Sequence, residues 1–149
     1  MARFEVRDPD YAQRVRESFD RQGAMAHLGA SLARVEPGEC EIRLPYRREI
    51  TQQHGYFHGG IIATISDSAG GYAAYTLMPA DSSVLTVEYK INLLAPGEGE
   101  RLIARGTVLR SGRSLVVTRV DAMVVKDGRE TLCATLLQTL MTLHGKKDQ

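Results

Sequence analysis

Residues 52–75 read QQHGYFHGGIIATISDSAGGYAAY, and their reading decides the fold. Two glutamines and two histidines lead to a Gly-Gly pair, after which the segment is apolar except for one acid, Asp67. A helix starting near His58 or Gly59 sorts these residues by face at about 100° per residue. Ile61, Ile62, Ile65, Ala69, Tyr72 and Ala73 form a broad apolar face suited to a core, and Asp67 lies roughly opposite. Its same-face neighbours are Ala63, Gly70, Gly71, Ala74 and Met78, with no Lys, Arg or Glu among them. A glycine inside a helix costs about 0.5–1 kcal/mol relative to alanine, so Gly70 and Gly71 predict a close approach by something else. The helix thus reads as buried on both sides. Asp67 is either a hydrogen-bonded structural acid or a functional carboxylate aimed at a partner subunit or ligand, because an isolated buried acid is costly unless paired or used.

The surroundings are those of an ordinary globular chain. A length of 149 residues, 43% hydrophobic and 25% charged, predicts one domain spanning residues 1–149. A net charge of +1 and the lack of interleaved aromatic and basic residues give no footprint for nucleic acid. Cys40 and Cys133 fall in separate strand-like segments without metal or redox spacing, as core thiols of a reducing compartment do. The first residues, MARFEVRDPDYAQ, are charged from Arg3 onward and do not read as a secretory signal. The central helix carries too many glycines and serines, besides Asp67, for a membrane span. A cytoplasmic location with no membrane partner is the expectation.

Around the central helix the pattern alternates between turn signals and strands. Residues 1–28 form an N-terminal helical segment, with a helix from about Tyr11 to Met25 capped by Asp8 or Asp10 and striped by Val15 and Phe19. Strands are predicted at Ser31 to Glu36 and Glu39 to Tyr46 around the turn Pro37-Gly38. After Met78-Pro79, Leu85, Val87, Tyr89, Ile91 and Leu93 alternate with Thr86, Glu88, Lys90 and Asn92, a strand with one dry and one polar face. Leu102 to Leu109, Leu115 to Val125 and Thr131 to His144 follow, joined by turns at Ser111-Gly112 and Asp127-Gly128. Residues 145–149 are expected to fray. A long antiparallel sheet with one apolar helix between its second and third strands predicts an α+β fold in which the sheet curls around the helix. Its uncovered helix face and strand edges predict at least a dimer.

On these residues the chain resembles the hotdog-fold acyl-CoA thioesterases, and within them the phenylacetate-pathway (PaaI-like) branch. The motif is a polar amide, then HGG, then an acid nine residues after the histidine: Gln52, His58-Gly59-Gly60 and Asp67. The resemblance runs through nearly the whole chain after residue 25, including SVLTVEYKINLLAP and the turn RSGRS. It implies a curved antiparallel sheet around a long central helix, an acyl-CoA substrate, no metal and no resident cofactor, and a homo-oligomer, dimer or homotetramer, with sites at subunit interfaces.

The resemblance also implies roles. Gly59 supplies a backbone N–H to the thioester carbonyl at a helix N-terminus, where developing negative charge is favoured. Asp67, from the opposing subunit, is nucleophile or general base. Gln52 holds the carbonyl or the water, His58 assists the carbonyl or the leaving thiol, and Thr86 orients the water. Arg110, Ser111, Gly112, Arg113 and Ser114 correspond to the turn that meets the phosphates or pantetheine arm of coenzyme A, where guanidinium groups suit phosphate. Gln52, His58, Thr86 and the turn each have a plainer counterpart: a loop amide, a helix-end histidine, a sheet threonine, a charged hairpin turn.

The chain also departs from the pattern. Gln52 is more typical of hydroxybenzoyl-CoA-type thioesterases, whose acid is usually Glu rather than Asp67, and which often place Ser or Thr where Gly71 stands. Substrate choice and the role of Asp67 stay open on this mixture. Two other functions are weighed against hydrolysis. A non-catalytic acyl-CoA-binding hotdog protein needs no carboxylate beside the thioester. A hotdog enoyl-CoA hydratase is suggested only by the spacing of Glu49 and His54. His54 and His58 lack a nearby third ligand for zinc.

Overall fold

A computed structural model describes residues 4–148, and its elements follow the sequence pattern with two departures near the ends of predicted segments. The first is at the N-terminal helix, which is two helices, α1 (Tyr11–Arg21) and α2 (Gly23–Leu28). Gln22 between them is extended, at φ −75° and ψ 100°, and Gly29 closes α2 in the left-handed region at φ 77°. The break lets both halves reach the core: Val15 and Phe19 from α1, Met25 and Leu28 from α2. Asp10 makes no side-chain cap bond. Asp8 instead accepts from the Asp10 N–H at 2.9 Å and pairs with Arg14 at 3.2 Å.

β1 (Ser31–Glu36) and β2 (Glu39–Pro45) form a hairpin, and after a loop the chain enters α3 (Gly59–Tyr75). Four strands complete it: β3 (Ser82–Leu93), β4 (Arg101–Ser111), β5 (Leu115–Lys126) and β6 (Arg129–His144). All pair antiparallel in one six-stranded sheet of order β1-β2-β4-β5-β6-β3. α3 packs against five of these strands, β2 to β6, which is the expected hotdog arrangement. Ile62, Ile65, Ala69, Tyr72 and Ala73 are buried on its core side. The close fit depends on Gly106 in β4, where a Cβ would overlap the Ala69 carbonyl. At the far end Arg14 donates to the carbonyls of Tyr75, Met78 and Pro79, placing a cation on the α3 C-terminus.

The second departure concerns β3. Its predicted dry face is open: Leu85 is 58% exposed and Leu93 56%, because β3 is the sheet's edge strand. A bulge between Thr86 and Glu88 also reverses the alternation. Thr86, paired with Leu140, therefore points to the same side as Tyr89 and Ile91, paired with Gln138 and Leu136. Leu85, paired with Met141, points to the outer side.

Cys40 and Cys133 are free and buried, and burial pushes their thiols up to about 12 and about 11. In the tail Asp148 is tied to Arg21 at 3.0 Å, while the expected fraying of Gln149 lies outside the described residues. Among the described residues no helix is long and apolar enough to cross a membrane.

Candidate active site

Asp67 sits in the third turn of α3 where the helix passes the β3–β6 edge of the sheet, and it is held through one oxygen only. Its Oδ1 accepts from Thr86 Oγ1 at 2.7 Å and from Gln138 Nε2 at 2.5 Å. Gln138 Nε2 also lies 3.1 Å from Thr86 Oγ1 and 3.2 Å from the Asp67 carbonyl. Thr118 Oγ1 donates to Gln138 Oε1 at 3.1 Å, which fixes the carboxamide so that its nitrogen faces the acid. Oδ2 has no partner among the described residues, and Asp67 with Thr86 lines a cavity of about 460 Å³. A carboxylate with one braced and one free oxygen is built to accept a proton or attack a carbon from a fixed position.

Gln138 and Thr118 belong to this cluster, and the sequence analysis did not single them out. A signal existed: on β6 the core-facing positions run Ala134, Leu136, Gln138, Leu140, and Gln138 is a 1%-exposed amide among aliphatics. The close approach predicted at Gly70 is made by this same residue. A Cβ on Gly70 would overlap Gln138 Oε1 and come within 2.8 Å of Thr118 Oγ1. Gly70 therefore faces the chain's own sheet. Gly71 is different, since a Cβ there would meet only Leu140 Cδ2 at 3.5 Å.

The HGG end of α3 forms a second group. His58 is the N-cap, its Nδ1 accepting from the Gly60 N–H at 2.8 Å, which places the neutral ring's proton on Nε2. The Gly59 N–H has no acceptor among the described residues and lies in the first turn, where the helix field favours negative charge. Gln52 Oε1 accepts from the N–H groups of His54 and Tyr56, bracing the loop and leaving its Nε2 unspent. Gln52 and Gly59 line a cavity of about 450 Å³ with Tyr56, Phe57 and Leu93.

The structure thus brings Asp67 and Thr86 together, and separately Gln52, His58 and Gly59. It does not bring the two groups together within one chain. Eight residues of helix separate Gly59 from Asp67, a rise of about 12 Å. β3 connects them: Thr86 touches Asp67, while a Cβ on Gly59 would lie 2.8 Å from Leu93 Cδ1 near the strand's other end. The turn from Arg110 to Ser114 joins β4 to β5, closed by the Gly112 N–H to the Leu115 carbonyl at 2.9 Å. Arg110 and Arg113 are exposed and their guanidinium groups have no ion pair among the described residues. Glu49 lies in a 3-10 helix, and the His54 ring packs beside Tyr56 at 6.2 Å.

Known proteins resemble this chain in sequence and fold. A family model described as the thioesterase superfamily matches residues 54–131. A thioesterase family protein from Silicibacter pomeroyi superposes with a TM-score of 0.90 at 50% identity, covering 91% of this chain and 99% of that one. A relative from Halobacterium salinarum is 32% identical over 123 residues, 79% of this chain and 81% of its own length. The Escherichia coli PaaI protein, from a phenylacetic acid degradation operon, superposes at 0.82 over 95% of this chain and 99% of its own. At 17% identity it shares the fold. A hotdog sheet around α3, with the HGG turn and the whole of α3 inside the matched segment, places the chain in the thioesterase superfamily: it belongs to that family and is a thioester hydrolase.

Proposed function

We propose that the protein hydrolyses the thioester of an acyl-CoA to a free acid and coenzyme A, in sites assembled from two copies of the chain. The observation that carries this is the separation of Asp67 from Gly59. A base or nucleophile works within about 3–3.5 Å of the reacting carbon, and its oxyanion donor within hydrogen-bond reach of the same carbonyl. A rise of about 12 Å excludes that within one helix. Two copies related by a two-fold axis remove the gap. β3 is an exposed edge with Asp67 and Thr86 near one end and Gly59 against Leu93 near the other. Antiparallel pairing of β3 with its own copy sets the Thr86 end of one chain beside the Leu93 end of the other.

In such a site the carbonyl oxygen of the thioester accepts from the Gly59 N–H and from Gln52 Nε2. Asp67 of the other copy acts as general base through Oδ2, removing a proton from water as the water oxygen bonds to the carbonyl carbon. The C–S bond then breaks, and the proton held on Asp67 passes to the departing sulfur, giving the acid and the thiol. Thr86 and Gln138 hold Oδ1 so that Oδ2 meets the water in one orientation. Arg110 and Arg113 are free to meet the coenzyme A phosphates.

A second contact between dimers is supported by the outer sheet face, where Leu85, Met141 and Leu115 stand side by side in register and are exposed. That face suits a dimer of dimers, a homotetramer. The two free buried thiols suit the reducing cytoplasm.

The test is release of coenzyme A, followed with a thiol reagent, from acetyl-, hexanoyl-, palmitoyl- and benzoyl-CoA. Turnover of at least one, at a rate that falls with Asp67→Asn, is expected. Tight binding of acyl-CoA with no release by the wild type would instead identify a binding protein.

A further inference from the structure

The cavity beside Asp67 continues past the carboxylate to the N-terminal helical segment, reaching Ser18 and Gln22. Its walls near Asp67 are apolar, with Val84 and Leu140, and its far end is polar. There Ser68 Oγ donates to Gln22 Oε1 at 3.0 Å, Gln22 Nε2 donates to the Tyr72 hydroxyl at 3.0 Å, and that hydroxyl lies 3.1 Å from Ser18 Oγ. The hydrogens do not all find acceptors. Gln22 Nε2 carries two and spends one, and only one of the Tyr72 and Ser18 hydroxyl hydrogens lies between those two oxygens. One amide N–H and one hydroxyl hydrogen are left over among the described residues. Burial pushes the Tyr72 hydroxyl above the usual phenol range, against its bonds to Ser18 and Gln22, so it remains a donor at neutral pH.

Gly71 is a second, independent observation. It sits one turn beyond Asp67 and lines the same cavity. Gly70 and Gly106 are required by neighbours that a Cβ would strike, whereas the chain leaves ordinary van der Waals room for a Cβ at Gly71. The helix therefore bears the cost of a glycine that its own packing does not demand. What the missing side chain preserves is space in the cavity.

The geometry points to this cavity as the acyl subsite, taking a short acyl group whose far end carries an oxygen acceptor, with Gln22, Ser18 and Tyr72 as its specificity-determining residues and Gly71 as its opening. This rests on the reading of Asp67 as the carboxylate at the thioester. Asp67 and Tyr72 both line the cavity, five residues and a rise of about 7.5 Å apart on α3, so a short chain such as hexanoyl is the length to test. The acceptor is a hydroxyl, meeting the spare donors, or a carboxylate, which also engages Arg21 at the rim in place of Asp148.

Calorimetric titration of Asp67→Asn, which leaves the thioester whole, with hexanoyl-CoA, 6-hydroxyhexanoyl-CoA and adipyl-CoA tests this. One oxygenated ligand is expected to bind about 5–10-fold more tightly than hexanoyl-CoA. Adding Tyr72→Phe or Gln22→Met brings that ratio to about one, and Gly71→Leu weakens all three ligands. Preference for the hydroxyl assigns the spare donors, and preference for the carboxylate that disappears with Arg21→Gln assigns the ion pair. Should Tyr72→Phe not fold by circular dichroism, Gln22→Met at the partly exposed end carries the comparison. Hexanoyl-CoA binding as tightly as both others, or a preference that survives Tyr72→Phe, Gln22→Met and Arg21→Gln alike, overturns the assignment. The hydrolase reading fails separately: a wild type that keeps the binding preference but releases no coenzyme A contradicts that reading alone.

Discussion

Gln138 Nε2 donates to Asp67 Oδ1 at 2.5 Å from the middle of β6, and the space for its side chain exists because residue 70 is glycine. The acid, the amide and the glycine are thus one arrangement, with Thr118 fixing the amide from behind. A hydrogen bond to a charged group is worth more than one between neutral groups, about 1.5–3 kcal/mol, so Gln138 matters to how Asp67 is presented.

Gln138→Leu is therefore expected to lower kcat by about 10–100-fold while leaving KM within a few-fold. Gln138 holds the carboxylate without touching substrate, so the loss belongs in turnover rather than in binding. Steady-state kinetics on one acyl-CoA checks the split. A variant whose KM rises while kcat holds would place Gln138 in the substrate pocket instead.

The adjacent glycines should respond in opposite directions. Gly70→Ala drives a methyl into Gln138, Thr118 and Val120, and overpacking of this kind costs about 1–3 kcal/mol. The melting temperature then drops by about 3–10 °C. Gly71→Ala meets only an ordinary contact and removes a helix glycine, so the melting temperature rises by about 1–4 °C. Thermal unfolding of the two variants with wild type settles the matter, and equal effects would refute the distinction.

Acid stability should depend on Arg105. Burial alone would raise the Glu41 carboxyl, but its bonds from Arg105 and Arg43 outweigh burial and hold it below 4.5. Glu130 is held low chiefly by its bond to Arg105. Carboxyls depressed in the folded state stabilise it above their unfolded values and lose that contribution as pH falls through the folded ones. The melting temperatures of wild type and Arg105→Gln should differ most near neutrality and converge as pH drops below about 4.5. A gap that widens in acid contradicts the sign.

Much of this fold was legible because its signals are local. The start of α3 follows from His58-Gly59-Gly60, with a cap residue ahead of an apolar run, and β1 follows from Ser31 to Glu36 ahead of Pro37-Gly38. Gln52, Gly59 and Asp67 were legible as a motif, whereas their division between two subunits is what the resemblance implied rather than anything read from the residues themselves. The break at Gln22 was missed because Ala24 to Leu28 continues a helix-compatible composition across it. The bulge after Thr86 was missed because it breaks alternation without a glycine or proline to mark it. Gln138 was hidden because an amide on a strand carries meaning only once its neighbours across the sheet and on α3 are known.

Asp67→Asn keeps shape and removes charge, and the rate should fall by at least about 10²–10⁴ with acyl-CoA binding retained. A single wild-type turnover in labelled water then separates two roles. Label only in the product acid is expected for a general base; label found in Asp67 would mean covalent attack.

The most direct measurement is complementation between two inactive chains. Asp67→Asn and Gly59→Pro, each folded by circular dichroism and each inactive alone, are co-expressed with different tags and the mixed dimer is purified from the pool. If Asp67 of one copy serves the Gly59 of the other, each mixed dimer holds one intact site, and a statistical pool recovers about a quarter of wild-type activity. Mixed dimers as inactive as their parents would mean that both residues act within one chain, and the shared site would be wrong.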